Sequence, residues 1–374
     1  MIVETKAQRV VAKRPRAAQF AGLHAIGVDL SKSAFQLHAS DVAGGTLFVK
    51  RLSREEFLPF LERLPRCLIG MESGASAHHW ARELTKLGHD ARIMPAQLVR
   101  PFRTGDKTDM KDAQAICEAL LRPNMRFVPI KSTEHQSVAA IHTSRELLIK
   151  QRTQIANALR ALFAEYGAAT KVGVTHTVQL AERLIQEEPN SIPAHGLKVA
   201  KILLEQFYAL QRQALDLEDI LHAWHKDDEM SSRLTTIPGV GLITATALVA
   251  LTIEATRFPS SRHFASWVGL TPAQRSSGSS TQSFGISRRG NSYLRKLLVT
   301  SAYTHIRKAR RSPAEADQKT VEMLNRRPVK VVAVAGASRN ARIAWALMTH
   351  GGTYDPRHLS NSDVNDGGCG HLTS

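Results

Sequence analysis

Four carboxylates carry the chemistry that this sequence offers: Asp29, Glu72, Asp109 and Asp112. Asp29 ends the apolar run Ala25-Ile26-Gly27-Val28, and Glu72 ends Cys67-Leu68-Ile69-Gly70-Met71. Asp109 and Asp112 stand i and i+3 in Lys107-Thr108-Asp109-Met110-Lys111-Asp112-Ala113, so on a helix both face the same way. Two strand-end acids opposite a helical Asp pair suit Mg²⁺ or Mn²⁺, hard cations that take oxygen ligands. A pair of such ions about 3.5–4 Å apart would stabilise the attacking and leaving oxygens of phosphoryl transfer. Taken singly, each acid has a second reading, Asp109 as a helix N-terminal acid favoured by the dipole and Asp29 and Glu72 as polar strand ends. Taken together, the four favour a metal site.

The elements that must position them follow from periodicity. Short apolar or alternating runs predict strands near 25–30, 33–40, 45–51, 67–72 and 90–94, with helices near 54–63, 77–87 and 109–121, the last capped by Thr108. This alternation predicts an α/β domain with a mixed sheet, whose strand ends are where ligand sites gather. From about residue 133 to 226 strand signals vanish. Leu147, Leu148, Ile155, Leu159, Leu162 and Phe163, then Ile202, Leu203, Phe207, Leu210 and Leu221, recur at helical spacing. An antiparallel helical arm with a further helix at 177–187 is expected there, suited to self-association as a homo-oligomer. The chain then becomes a mostly α-helical C-terminal domain. The expected divisions are a basic flexible arm over 1–23, the α/β domain over 24–130, the helical arm over 131–228, the C-terminal domain over 229–352 and a disordered tail over 353–374.

Two further strings in the last domain bear on chemistry. Ile237-Pro238-Gly239-Val240-Gly241 reads either as a helix-hairpin-helix turn, with amides after Gly239 and Gly241 offered to a DNA phosphate, or as a plain helix–helix turn using glycine for positive φ. Ser277 lies in the Ser- and Gly-rich segment Arg275-Ser276-Ser277-Gly278-Ser279-Ser280, followed by Arg288-Arg289-Gly290-Asn291 and a helix bearing Arg295 and Lys296. Composition alone makes Ser277 a linker residue. Its basic setting allows another role, since Arg275, Arg288 and Arg289 would stabilise the charge that develops when a serine oxygen attacks phosphate.

Lys and Arg total 50 against 33 acids, a formal net charge of +17, which favours a polyanionic partner and nucleic acid above all. No apolar run approaches the roughly 18 residues of a membrane span. Cys67, Cys117 and Cys369 have neither the spacing of a zinc site nor that of a disulfide framework.

Together these strings resemble a family of insertion-sequence transposases that pair an N-terminal DEDD, RuvC-like (RNase H-like) domain with a C-terminal serine-bearing domain, described as bridge-RNA-guided recombinases. The matching residues are Ile26-Gly27-Val28-Asp29, Gly70-Met71-Glu72-Ser73, Lys107 to Ala113, Ile237 to Gly241, Ser277-Gly278 and Gly285 to Asn291. Trp80-Ala81-Arg82-Glu83-Leu84 and Arg122 to Pro129 are similar to the branch whose elements carry subterminal inverted repeats. The family has a lysine where Arg288 or Arg289 stands here, which alters phosphate geometry. The resemblance implies that Asp29, Glu72, Asp109 and Asp112 bind Mg²⁺ (Mn²⁺ substituting), and that Ser277 is a nucleophile forming a covalent phosphoserine link to DNA. It further implies donor and target DNA and a noncoding guide RNA as partners, a dimer or tetramer, and a cytoplasmic, nucleoid-associated protein. Gly239, Gly241, Arg275, Arg288, Arg289, Asn291, Arg295 and Lys296 are the expected nucleic-acid contacts. Two alternatives remain at this point: a metal-dependent nuclease resembling Holliday-junction resolvases, in which water attacks, and a non-catalytic nucleic-acid-binding protein.

Overall fold

A computed structural model describes residues 20–106, 108–186, 192–277, 280–312 and 317–355. Side chains from 274 to 284 are outside that description, as are the basic segment 1–19 and the tail 356–374. The chain divides into two compact units, one ending at Ser132 and the other beginning at Thr133.

The first unit is a five-stranded mixed sheet in the order β3-β2-β1-β4-β5. Its strands are β1 Ala25–Leu30, β2 Ala34–Ser40, β3 Thr46–Ser53, β4 Leu68–Glu72 and β5 Asp90–Met94. β1 pairs antiparallel with β2 and parallel with β4, and β4 pairs parallel with β5. Because strand side chains alternate, Ile26, Val28, Phe35, Leu37, Ile69 and Met71 form one face. They bury against helices α1 Arg54–Leu61 and α2 Ala77–Lys86 through Phe57, Leu61, Trp80 and Leu84. Phe35, Phe57 and Trp80 meet edge to face at 4.7–5.3 Å, the geometry that aromatic quadrupoles favour. A capping box starts α1: the Ser53 side chain accepts from Glu56 N–H while Glu56 accepts from Ser53 N–H.

The opposite face is covered by one helix. After α3 (Ala96–Val99) and a tight turn at Arg100–Phe102, Thr108 caps α4 (Asp109–Leu120), its hydroxyl accepting from Lys111 N–H. Ala25, Met94, Ile116, Cys117 and Leu120 form the core on this side. The mixed sheet and its flanking helices are the architecture expected from the alternating pattern.

The second unit is almost entirely helical. The long helices α5 Thr133–Ala164 and α7 Ala194–Asp227 pack with α6 Val174–Gln186 around Leu159, Phe163, Leu180, Leu184 and Phe207. α8 Glu229–Leu234, α9 Leu242–Leu251, α10 Ser261–Val268, α11 Ser292–Arg311, α12 Gln318–Arg326 and α13 Val329–His350 surround a separate core. It contains Leu234, Leu248, Phe264, Leu298 and Ala341. Where the composition reads as a flexible serine loop, the chain forms a two-stranded hairpin, β6 Pro272–Ser277 against β7 Ser280–Ile286.

Candidate active site

Register brings the first two acids together. β1 and β4 run parallel with Gly27 beside Gly70 and Val28 beside Met71, so the next residues along the two strands are Asp29 and Glu72. By strand alternation, Asp29 shares a face with Ala25 and Gly27, and Glu72 with Leu68 and Gly70. That face is the one under α4.

The approach of α4 depends on glycine. A Cβ on Gly27 would lie 2.3 Å from Ala113 O and 2.4 Å from Cys117 N, so helix backbone rests directly on strand backbone. Cys117 Sγ lies 4.0 Å from Ala25 O while Ala113 O stands over Gly27. Moving towards the start of α4 therefore means moving along β1 towards Asp29. The first turn of α4, carrying Asp109 and Asp112, thus lies towards the strand ends that carry Asp29 and Glu72. Asp29 and Glu72 are half-buried, Asp109 is exposed and Asp112 is buried. Asp112 Oδ1 ion-pairs with Arg103 Nε.

Among the described residues, no three His, Cys, Asp or Glu side chains close around a point that could hold a metal ion. The four acids share one end of the sheet without forming a finished coordination shell. As a donor set they are all carboxylate oxygens, which fits a hard divalent cation and not a soft one.

Among the described residues, the cysteines contribute no nucleophile to this site. Burial pushes the Cys67 thiol up to about 12, and burial also raises that of Cys117, whose Sγ lies 3.3 Å from Ser40 Oγ. Both are the poor thiolates expected of apolar surroundings.

In the second unit, Ser277 is the last residue of β6 and pairs in register with Ser280. Its side chain and that of Arg275 lie outside the described residues, as do Gly278 and Ser279 entirely. The root of the hairpin is well defined. Gly290 has φ +85°, and a Cβ there would sit 1.7 Å from Trp267 O, so only a bare backbone fits. Ser287 N–H donates to Thr271 O at 2.9 Å, and Arg295 Nη1 donates to Val268 O at 2.8 Å and Arg289 O at 3.2 Å. Arg295, expected from the sequence as a nucleic-acid contact, thus turns onto carbonyl oxygens of its own chain. Asn291 caps α11, its Oδ1 accepting from Tyr293 and Leu294 N–H. Arg288 and Arg289 are exposed, and Lys296 reaches Glu146 at 3.1 Å.

The Pro238-Gly239-Val240-Gly241 turn joins α8 to α9, with Gly239 at φ +82° and Gly241 as the exposed N-cap of α9. Gly241 supplies no side chain to the first-turn amides of α9, and a Cβ there would meet nothing within 4 Å.

One group beyond the sequence pattern ties these pieces together. His142 of α5 is buried, with Nδ1 3.0 Å from Tyr293 Oη and Nε2 3.1 Å from Thr246 Oγ1. Thr246 Oγ1 donates to Leu242 O at 2.8 Å, so it accepts from Nε2–H, and Nδ1 accepts from the tyrosine hydroxyl. Burial, helped by Arg145, lowers His142 to about 4, which keeps the imidazole neutral as this arrangement requires. Sequence offered no signal beyond a lone histidine on a helix. Arg103 was equally silent, a single cation in a turn.

Comparisons with known proteins show the family. Residues 26–167 match the DEDD transposase model of the IS110 group, and residues 231–317 match the model described as "Transposase IS116/IS110/IS902 family". A probable family 20 transposase of Pseudomonas aeruginosa is 39% identical over 89% of this chain and 99% of its own length. A transposase for insertion sequence element IS1328 of Yersinia enterocolitica is 36% identical over 87% and 97%. One for element IS1111A of Coxiella burnetii is 32% identical over 88% and 90%. An α/β unit with acids gathered at its strand ends, followed by a helical unit with a glycine-rooted hairpin, is in these relatives' company a DNA strand-transferring enzyme: the chain belongs to the IS110/IS116/IS902 family of insertion-sequence transposases.

Proposed function

We propose that the chain cuts and rejoins DNA strands of its insertion sequence through a serine-linked intermediate. The observation that carries this reading is the register of β1 and β4, which sets Asp29 beside Glu72 on the face covered by α4. Asp29, Glu72, Asp109 and Asp112 would hold Mg²⁺, with Mn²⁺ as substitute. When bound, the metal supplies charge stabilisation to the phosphoryl oxygens and lowers the barrier to attack.

In the first step the Ser277 oxygen forms a bond to phosphorus, its proton is released, and one DNA end leaves as a hydroxyl. In the second a DNA hydroxyl attacks the phosphoserine, a new phosphodiester forms, and the serine oxygen leaves and is reprotonated. Each step forms one phosphoester bond for the one it breaks, so no nucleotide hydrolysis is needed. Arg275, Arg288 and Arg289 would bind the phosphate, and the α9 start at Gly239-Gly241 would bind the DNA backbone without reading sequence. Asn291 and Arg295 would act by holding the hairpin root, and Lys296 by contacting a phosphate. Sequence choice would rest with a noncoding guide RNA paired to donor and target DNA, in the manner of the subterminal-inverted-repeat branch, and the helical arm would join copies into a dimer or tetramer.

The test is a covalent adduct. Wild-type protein incubated with Mg²⁺, the RNA from the element's flank and a nicked element-end DNA is expected to give a protein–DNA adduct stable to denaturation. Ser277→Ala is expected to give none, and Asp112→Asn far less. Cleaved DNA with no adduct, unchanged in Ser277→Ala, would assign the attack to water as in a resolvase-like nuclease. Salt-sensitive DNA binding without cleavage under any condition would mark a binding protein instead.

A further inference from the structure

We infer that Arg103 is the positioning residue of the acid site, holding one oxygen of Asp112 so that the other is aimed at a divalent cation. This rests on the metal-site reading above and extends it to a residue outside the acid set.

The argument starts from which atoms solvent reaches. Arg103 Nε and Asp112 Oδ1 form an ion pair, and both atoms are sealed from solvent with no hydrogen-bond partner among the described residues, so the charge contact alone holds them. A cation arriving from water cannot reach Oδ1. Whatever Asp112 offers to a metal is offered through Oδ2.

The backbone that delivers Arg103 is itself anchored. Arg103 N–H donates to Arg100 O at 3.2 Å, closing the turn Arg100–Phe102. Phe102 packs against the core between the sheet and α4, and the Arg122 guanidinium lies 5.4 Å from its ring centre. Asp112 is fixed from the other side by its place in the first turn of α4, its N–H donating to Thr108 O at 2.9 Å. Both ends of the pair therefore stand on packed structure, so the carboxylate has little freedom to rotate.

A buried carboxylate oxygen left without its cation is costly, and a ligating carboxylate oriented by an outer partner binds metal more tightly than one that is not. With Oδ1 held by the guanidinium and Oδ2 offered to the metal, the anionic carboxyl would stand between the two positive charges. Orientation then outweighs repulsion. Arg103 acts on the metal through Asp112 and does not touch it.

The experiment is Mn²⁺ titration of the full-length protein, followed by electron paramagnetic resonance, without DNA. Arg103→Gln is expected to weaken Mn²⁺ binding about 10- to 100-fold. Arg103→Lys, which keeps the charge without the planar fork, is expected to recover part of the loss. Melting curves without metal check that each variant folds; if Arg103→Gln does not, Arg103→Lys against wild type carries the comparison, with weaker binding still expected. Unchanged or tighter Mn²⁺ binding in a folded Arg103 variant overturns the inference, and tighter binding identifies the guanidinium as a competitor for Asp112. Asp29→Asn separates this from the underlying reading. If wild type binds Mn²⁺ no better than Asp29→Asn, the metal site itself is wrong and the role of Arg103 falls with it.

Discussion

Replacing Gly27 with alanine tests how the acids are brought together. The new Cβ would lie 2.3 Å from Ala113 O, 2.4 Å from Cys117 N and 2.8 Å from Cys117 Cβ, against an ordinary contact of about 3.5 Å. The first two obstacles are backbone atoms of a helix, so no side chain can rotate away. Restoring contact requires α4 to lift by about 1 Å, with a cost of roughly 1–3 kcal/mol for overpacking and a fall in Tm on the order of 10 °C at the upper end. α4 carries Asp109 and Asp112, and a displacement of about 1 Å at a reacting centre costs on the order of 100-fold in rate. Gly70→Ala is the control, because its Cβ would meet Leu120 Cδ2 and Met94 Cε, each at 2.9 Å, the movable ends of flexible side chains. Thermal unfolding and the adduct assay, run on both variants, are expected to show Gly27→Ala impaired in stability and far more in activity, with Gly70→Ala near wild type. Equal damage from the two, or a fully active Gly27→Ala, would refute the idea that backbone contact between α4 and β1 positions the acids.

Acidification is expected to weaken the second unit through His142. An unfolded histidine takes up a proton near pH 6.5 that the folded one refuses until about 4. Stability is therefore intact above that range and falls as pH drops from about 6.5 towards 4, by about 2 kcal/mol at pH 5. Urea unfolding across this range checks it, and His142→Gln should flatten the profile. The two polar residues after the hairpin should separate cleanly. Asn291→Ala is expected to cost about 1 kcal/mol of stability through loss of the α11 cap. Lys296→Ala, at an exposed pair, should leave melting unchanged and reduce the salt slope of DNA binding by about 1 if it contacts a phosphate.

The α/β unit was legible because its signals are local. Apolar runs ending at Asp29 and Glu72 gave strands ending at Leu30 and Glu72, and Thr108 gave the start of α4. The close approach of α4 at Gly27 emerges only from the fold. The hairpin was not legible, since Ser-, Thr- and Gly-rich segments have the composition of loops, and pairing between 272–277 and 280–286 is a tertiary outcome. Asn291 and Arg295 carried polar types that suit nucleic acid equally well, and local structure engages both, one as a helix cap and one on carbonyl oxygens. Arg103 and His142 could not be found because each works through a partner distant in sequence, or through one geometry among many that a lone residue permits.

The long helix α5 belongs to two cores at once. Near its start Val138 packs with Leu221 and Ala250, beside the His142 link to Tyr293; from Ile155 onward it packs with α6 and α7. Between the two, Arg145 is held by Glu218 of α7 at 2.6 Å. The twenty-three residues from His142 to Ala164 make a stiff rod of about 34 Å. It runs unbroken from the α6 pack to His142, and so ties that pack to Tyr293, the second residue of α11.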